Sequence, residues 1–104
     1  MILRPYVDRE GRNPFELWFL SLEPASRARV AVYLERLEQG NLSNIKSVGG
    51  GVIELRMNFG PGLRAYLGRD GETLVILLGG DSKKSQQSDI AAAQGMWSEY
   101  KATK

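Results

Sequence analysis

Four side chains capable of chemistry, Glu54, Arg56, Arg64 and Tyr66, lie in two short segments separated by the turn sequence Gly60-Pro61-Gly62. Because strand side chains alternate between faces, the spacing predicts that these four share one face of a hairpin. The opposite face would carry the apolar residues Leu55, Met57, Leu63, Ala65 and Leu67. Cross-strand neighbours lie roughly 5 Å apart, so the two guanidinium groups are expected to converge. Guanidinium is always charged and binds phosphate oxygens through paired hydrogen bonds, which predicts a phosphate-bearing partner.

Each of these residues also has a simpler interpretation. Antiparallel sheets often keep one face in water, so Arg56 and Arg64 could be solvated surface residues. Glu54 is interpreted as a partner that orients an arginine rather than as a catalytic group. Tyr66 could be a half-buried strand residue, or a group that stacks on a base or handles a proton. Because Arg64 points away from the apolar face, its replacement is expected to cost little packing energy.

The composition limits the chemistry that the chain can perform. Its 104 residues predict a single domain spanning 1–104. It contains neither Cys nor His, so disulfides, thiol chemistry, an imidazole base and a transition-metal site are not expected, and no cofactor is predicted. No apolar run approaches the roughly 20 residues of a membrane span, and no signal peptide opens the chain. The expected location is the cytoplasm, without membrane contact.

The small net charge of +2 is unevenly placed along the chain. Residues 46–84 hold six basic and four acidic side chains, whereas the flanking segments are balanced. This segment includes the two arginines together with Lys46, Arg69, Lys83 and Lys84. The two lysines precede the predicted start of a helix, where free N–H groups attract anions, although a solubilising turn would look the same.

The periodicity predicts an α+β domain. An extended segment over 2–7 precedes two helices, which begin at Pro14 and Pro24 and form a helical hairpin that ends at Gly40. A loop is predicted over 41–51, then strands over 52–57, 63–69 and 73–78 that form a twisted antiparallel sheet. Ser85 or Ser88 would cap a C-terminal helix.

An ordered set of short motifs resembles toxins of the RelE/ParE superfamily, in particular the HigB-like "addiction module killer protein" branch. The similarity runs from about Phe15 to Tyr100. It rests on the segments Asn41 to Gly51 with Lys46, Glu54-Leu55-Arg56, Gly60-Pro61-Gly62-Leu63-Arg64-Ala65-Tyr66, Leu77-Leu78-Gly79-Gly80-Asp81, Lys83 with Gln86, Asp89-Ile90, Ala93, and Trp97 with Tyr100. Ser82 separates the Gly-Gly-Asp motif from the lysines, so either Lys83 or Lys84 takes the lysine role of the family.

The resemblance implies the RelE-like microbial RNase fold and the toxin of a type II toxin–antitoxin system. Such toxins are mRNA endoribonucleases that act at the ribosome and are silenced by an antitoxin, often of the helix-turn-helix type, in a heteromeric complex. RNA carries its own nucleophile, the 2′-hydroxyl, so cleavage needs no metal and no histidine. Arg56 and Arg64 would stabilise charge, with Lys83, Lys84 and Tyr66 also catalytic. Flanking RNA would be bound by Lys46, Arg69 and Gln86, and Glu54 would orient an arginine.

Two other functions remain open at this level. ParE-type relatives share the fold but inhibit DNA gyrase without nuclease chemistry. A decayed toxin would retain only binding of its antitoxin. The sequence does not decide between these readings, and it leaves the oligomeric state and the RNA sequence preference open.

Overall fold

Five strands and three helices follow one another in the computed structural model, which describes residues 1–104. Their bounds are β1 Ile2–Pro5, α1 Pro14–Ser21, α2 Pro24–Glu38, β2 Ile45–Gly49, β3 Val52–Met57, β4 Leu63–Asp70, β5 Thr73–Gly80 and α3 Gln86–Ala102. The α+β class, which is compatible with a RelE-like fold, is confirmed. None of the three helices is both long and apolar enough to cross a membrane.

All five strands form one sheet in the order β1-β5-β4-β3-β2. Neighbouring strands run antiparallel except for β1, which pairs in parallel with β5. The antiparallel arrangement predicted for β3, β4 and β5 is confirmed, whereas the parallel pairing of β1 was not predicted. Two helices and three strands separate β1 from β5 along the chain, so local patterns do not encode this pairing.

The helix boundaries follow the local signals in the sequence. Asn13 caps α1, since its Oδ1 accepts a hydrogen bond of 3.0 Å from the Glu16 backbone N–H. Proline begins both α1 and α2, and Gly40 follows α2 with a φ of 89°. Ser85 occupies the N-cap position of α3, but its hydroxyl makes no capping bond. It donates instead to the Asp89 carboxylate at 2.8 Å.

The segment predicted as a loop over 41–51 contains strand β2, which is a correction. β2 pairs with β3, placing Lys46 opposite Glu54. Gly49, which ends β2, and the two turn residues Gly50 and Gly51 all have positive φ, a conformation that residues with a Cβ rarely adopt. The strand is hard to recognise because it is a short, largely exposed edge strand whose register shifts after Ser47.

Both faces of the sheet are covered by helices. The first face packs on α1 and α2 around a core that includes Phe15, Val30, Leu37, Leu55 and Leu67. The second packs on α3 around Tyr66, Leu77, Ala93 and Trp97, among others. We call them the α1/α2 face and the α3 face. Strand β5 lies between β1 and β4 and is apolar on both sides, as its composition predicted.

Helix α3 lies along the sheet, and its position determines which part of the α3 face is left uncovered. Near its C-terminus, the Tyr100 hydroxyl donates to Asp70 at the end of β4, at 2.8 Å. Its first turn lies at the other end of β4, where Arg64 pairs with Gly80 and an added Cβ on Gly80 would lie 2.5 Å from the Asp89 carboxylate. The basic residues of β3 and β4 therefore lie beside the start of α3.

Candidate active site

Strand pairing assembles the candidate site from three neighbouring strands. In the β3–β4 pair, Arg56 lies opposite Arg64 and Glu54 lies opposite Tyr66. On the other side of β3, Lys46 of β2 lies opposite Glu54. The alternation of strand side chains places this group on the α3 face, at the end where α3 begins.

Glu54 is a buried carboxylate that accepts hydrogen bonds from two side chains. It has no solvent exposure, and it accepts from Arg56 Nε at 3.1 Å and from Gln86 Nε2 at 2.9 Å. A buried charge is strongly unfavourable unless it is paired and hydrogen-bonded. Glu54 thereby fixes the position of Arg56, whose side chain remains half exposed, and ties the first turn of α3 to the sheet.

Arg64 is also buried, with a residue exposure of 7%. Its Nε lies 3.9 Å from the Glu54 carboxylate, an ion-pair distance too long for a hydrogen bond, and has no hydrogen-bond partner. Its Nη1 donates to the Gly62 carbonyl at 3.3 Å. The interpretation of Arg64 as a solvated residue, cheap to replace, was therefore wrong. A buried donor without a partner is unfavourable. Such a donor is expected at a site where a bound ligand supplies the missing acceptor.

Three cations line one small pocket. Arg56, Arg64 and Lys83 surround a space of about 170 Å³, which is also lined by Met57, Asn58, Gly62 and Leu63. Only one carboxylate, Glu54, pairs with this group. The pocket therefore carries net positive charge and suits a phosphate with its several oxygens.

A larger open groove of about 650 Å³ lies between β2 and α3 and shares Arg56 with the pocket. Lys46 and Gln86, two of the predicted RNA-binding residues, line this groove. Lys84 is exposed and lines neither space. Arg69 is not brought to the site. It lies near the other end of β4, opposite Leu74 of the α1/α2 core, and its Nε donates to the Gly71 carbonyl at 3.2 Å.

Tyr66 lies opposite Glu54 on β4 and does not line the pocket. Its ring has no solvent exposure, so it does not present a face on which a base could stack. Its hydroxyl is buried without a hydrogen-bond partner. Burial, followed by the negative charges of Glu54 and Asp89, raises the pKa of Tyr66 to about 12, while Arg64 acts in the opposite direction. At neutral pH the hydroxyl is protonated, so it can donate a proton or a hydrogen bond but cannot act as a phenolate base.

Asp89 belongs to this environment and was missing from the predicted site residues. Its carboxylate contributes to the raised pKa of Tyr66 and accepts a hydrogen bond from the Ser85 hydroxyl. The available signal was helical spacing, because Gln86 and Asp89 are three residues apart and share a helix face. No group of three or more acidic side chains is arranged to hold a metal ion.

Replacing Tyr66 with phenylalanine tests whether the hydroxyl contributes to folding. Because the hydroxyl has no partner, we expect unchanged or slightly higher stability at neutral pH. The raised pKa makes the native state lose stability as pH rises from 10 toward about 12, and the variant should lack that contribution. Thermal melts from neutral to alkaline pH measure both effects. A clear loss of stability at pH 7 would show that the hydroxyl is structural.

The site lies within a segment that matches a known protein family. Residues 17–96 match the family described as "Phage derived protein Gp49-like". The chain belongs to the Gp49-like family. This is a RelE/HigB-like family associated with toxin–antitoxin systems, and the matched segment contains every residue of the pocket and the groove.

A bacterial relative is similar to most of the chain. An uncharacterized protein of Haemophilus influenzae is 40% identical over 81 residues, which cover 77% of the Gp49-like chain and 82% of the relative. Family membership indicates a toxin that has a cognate antitoxin as its partner. The chemistry of this toxin has to be inferred from its site.

Proposed function

We propose that this Gp49-like protein is the toxin of a type II toxin–antitoxin system and acts as an mRNA endoribonuclease. The observation that carries the proposal is the convergence of Arg56, Arg64 and Lys83 on one pocket, above the buried carboxylate of Glu54. An oriented cluster of cations with few competing anions is the arrangement that stabilises a phosphorane-like transition state.

In the proposed reaction, the RNA supplies the nucleophile. The 2′-oxygen attacks the adjacent phosphorus and loses its proton to solvent, and the bond from phosphorus to the 5′-oxygen breaks. The products are a 2′,3′-cyclic phosphate and a 5′-hydroxyl, whose oxygen takes up one proton. Holding the backbone in line and neutralising the charge on its oxygens account for most of the rate gain.

The side chains divide this work according to position. Arg56 and Arg64 bind the non-bridging oxygens, and Glu54 holds Arg56 in place. Lys83 lines the same pocket and neutralises charge beside them. Tyr66 would donate a proton to the departing 5′-oxygen, because its hydroxyl is protonated at neutral pH. Catalytic hydrogen bonds that are long or absent in a free enzyme often form fully when the substrate binds.

Other predicted residues would act outside the pocket. Lys46 and Gln86 lie along the groove that continues from Arg56 and would contact neighbouring nucleotides. Lys84 is exposed near the start of α3 and would contact a more distant phosphate, such as one on the ribosome. The antitoxin would silence the protein by covering or distorting the basic site, where electrostatic complementarity also speeds association.

Expression without an antitoxin is expected to arrest growth and to create new transcript 5′ ends. The reason is that a toxin with an intact cationic pocket would cut mRNA during translation. The measurement is inducible expression followed by growth curves and genome-wide mapping of 5′ ends. Arg69→Ala is the matched control because it removes an exposed arginine outside the pocket, and it should arrest growth as strongly as the unmodified chain.

Two outcomes would contradict this function. Normal growth while folded protein accumulates would exclude an active toxin. Growth arrest with intact transcripts and induction of the DNA damage response would instead indicate inhibition of DNA gyrase.

A further inference from the structure

The groove between β2 and α3 holds side chains that the phosphate chemistry does not use. It measures about 650 Å³, several times the pocket, and it begins at Arg56, which lines both spaces. An RNA strand with one phosphate bound in the pocket could therefore continue into the groove. Lys46 is the second cation along its wall.

One stripe of α3 forms the other wall of the groove. Gln87, Ala91 and Gln94 are four and three residues apart, the spacing of one helix face, and Ile90 lies beside them. The lining thus combines a small apolar floor with uncharged amide groups. An amide carries both a donor and an acceptor, the pair of groups that read the edge of a nucleobase.

The two outer glutamines have unused hydrogen-bonding capacity. Gln94 donates through Nε2 to the Val48 carbonyl at 3.3 Å, which leaves its oxygen free and fixes the side chain beside the β2–β3 turn. Gln87 is exposed and makes no side-chain hydrogen bond. Gln86, in contrast, is already bound to Glu54.

We propose that this groove binds and reads a nucleobase of single-stranded RNA next to the scissile phosphate, with Gln87 and Gln94 as specificity-determining residues. The inference rests on the proposed nuclease function for the identity of the substrate. Lys46 and Arg56 bind the backbone on either side, and the base lies on Ile90 and Ala91. RNA is favoured over an acidic protein segment because the lining offers three amides and only two cations, and an acidic segment gains little from amides.

The binding test uses the full chain and does not depend on cleavage. Isotope-labelled protein is titrated with 2′-O-methyl tetranucleotides, which cannot be cleaved by 2′-attack, and with the same backbone lacking bases. The side-chain amide NMR signals of Gln87 and Gln94 should shift only with base-bearing RNA, by amounts that depend on the base. The signal of Gln39, a glutamine at the end of α2, should stay unchanged.

The cleavage test maps the nucleotides flanking each cut. Gln87→Ala and Gln94→Ala should reduce discrimination between nucleotides by about tenfold, whereas Gln39→Ala, which lies outside the groove, should leave the cutting pattern unchanged. Equal shifts with the abasic backbone, larger shifts with a poly-glutamate peptide, or an unchanged cutting pattern in both variants would overturn the proposal. Absence of cleavage by the unmodified chain would count against the nuclease function alone, since base-dependent shifts would still establish the groove.

Discussion

Replacement of Arg64 with alanine is expected to slow RNA cleavage by about 100- to 1000-fold, by analogy with the loss of an oriented transition-state donor. Arg64 is the most buried cation of the pocket and has an unpaired Nε beside Glu54. Its loss removes a fixed positive charge from the position where negative charge would develop on the non-bridging oxygens of the phosphate. Cleavage rates at saturating substrate measure the effect.

Folding must be monitored in the same variant, because Arg64 is buried. Glu54 would keep its hydrogen bonds from Arg56 and Gln86, so we expect a lower melting temperature but a folded chain. Arg64→Lys retains the charge and should recover part of the activity, although lysine lacks the two-pronged geometry. Arg69→Ala is the matched control. If Arg64→Ala were folded and as active as the unmodified chain, Arg64 would have no place in the chemistry.

Replacement of Gly68 with alanine is expected to lower the free energy of unfolding by about 1–3 kcal/mol, the usual effect of overpacking. Gly68 lies in the middle of β4, and a Cβ at this position would overlap the Trp97 ring of α3. The ring is almost fully buried and stacks on Tyr100, with centroids 5.1 Å apart. It therefore cannot move without disturbing the α3 packing.

Gly95→Ala provides the opposite result on the same helix. Gly95 is exposed in α3, and an added Cβ would meet nothing within 4 Å, so alanine should raise stability by about 0.5–1 kcal/mol through helix propensity. Chemical denaturation of both variants measures the two changes. If Gly68→Ala were as stable as the unmodified chain, the close contact between β4 and Trp97 would be wrong.

The sequence predicted features that depend on local spacing. The alternation of side chains over 52–57 and 63–69 placed Arg56 and Arg64 on one face, and the structure pairs them directly. Asn13, Pro14, Pro24 and Gly40 marked helix ends because capping and backbone restrictions act over a few residues.

Features that depend on distant contacts were not predicted. The parallel pairing of β1 with β5 joins residues about seventy positions apart, and β2 carries no clear alternation because it is a short edge strand with a register shift. The depth of Arg64 and Tyr66 was missed because α3 covers that face, and the side on which a helix packs is not encoded in the strand pattern. Asp89 was missed for the same reason.

The central claim is cleavage of RNA by its own 2′-hydroxyl in a cationic pocket, and the chemical identity of the fragment ends tests it most directly. Fragments produced by the unmodified chain and by Arg64→Ala would be analysed by ligation and mass spectrometry. The predicted result is a 2′,3′-cyclic phosphate or its 3′-phosphate product, with a 5′-hydroxyl on the other fragment, for the unmodified chain and almost no fragments for the variant. Ends carrying a 5′-phosphate and a 3′-hydroxyl would show attack by water and would contradict the account.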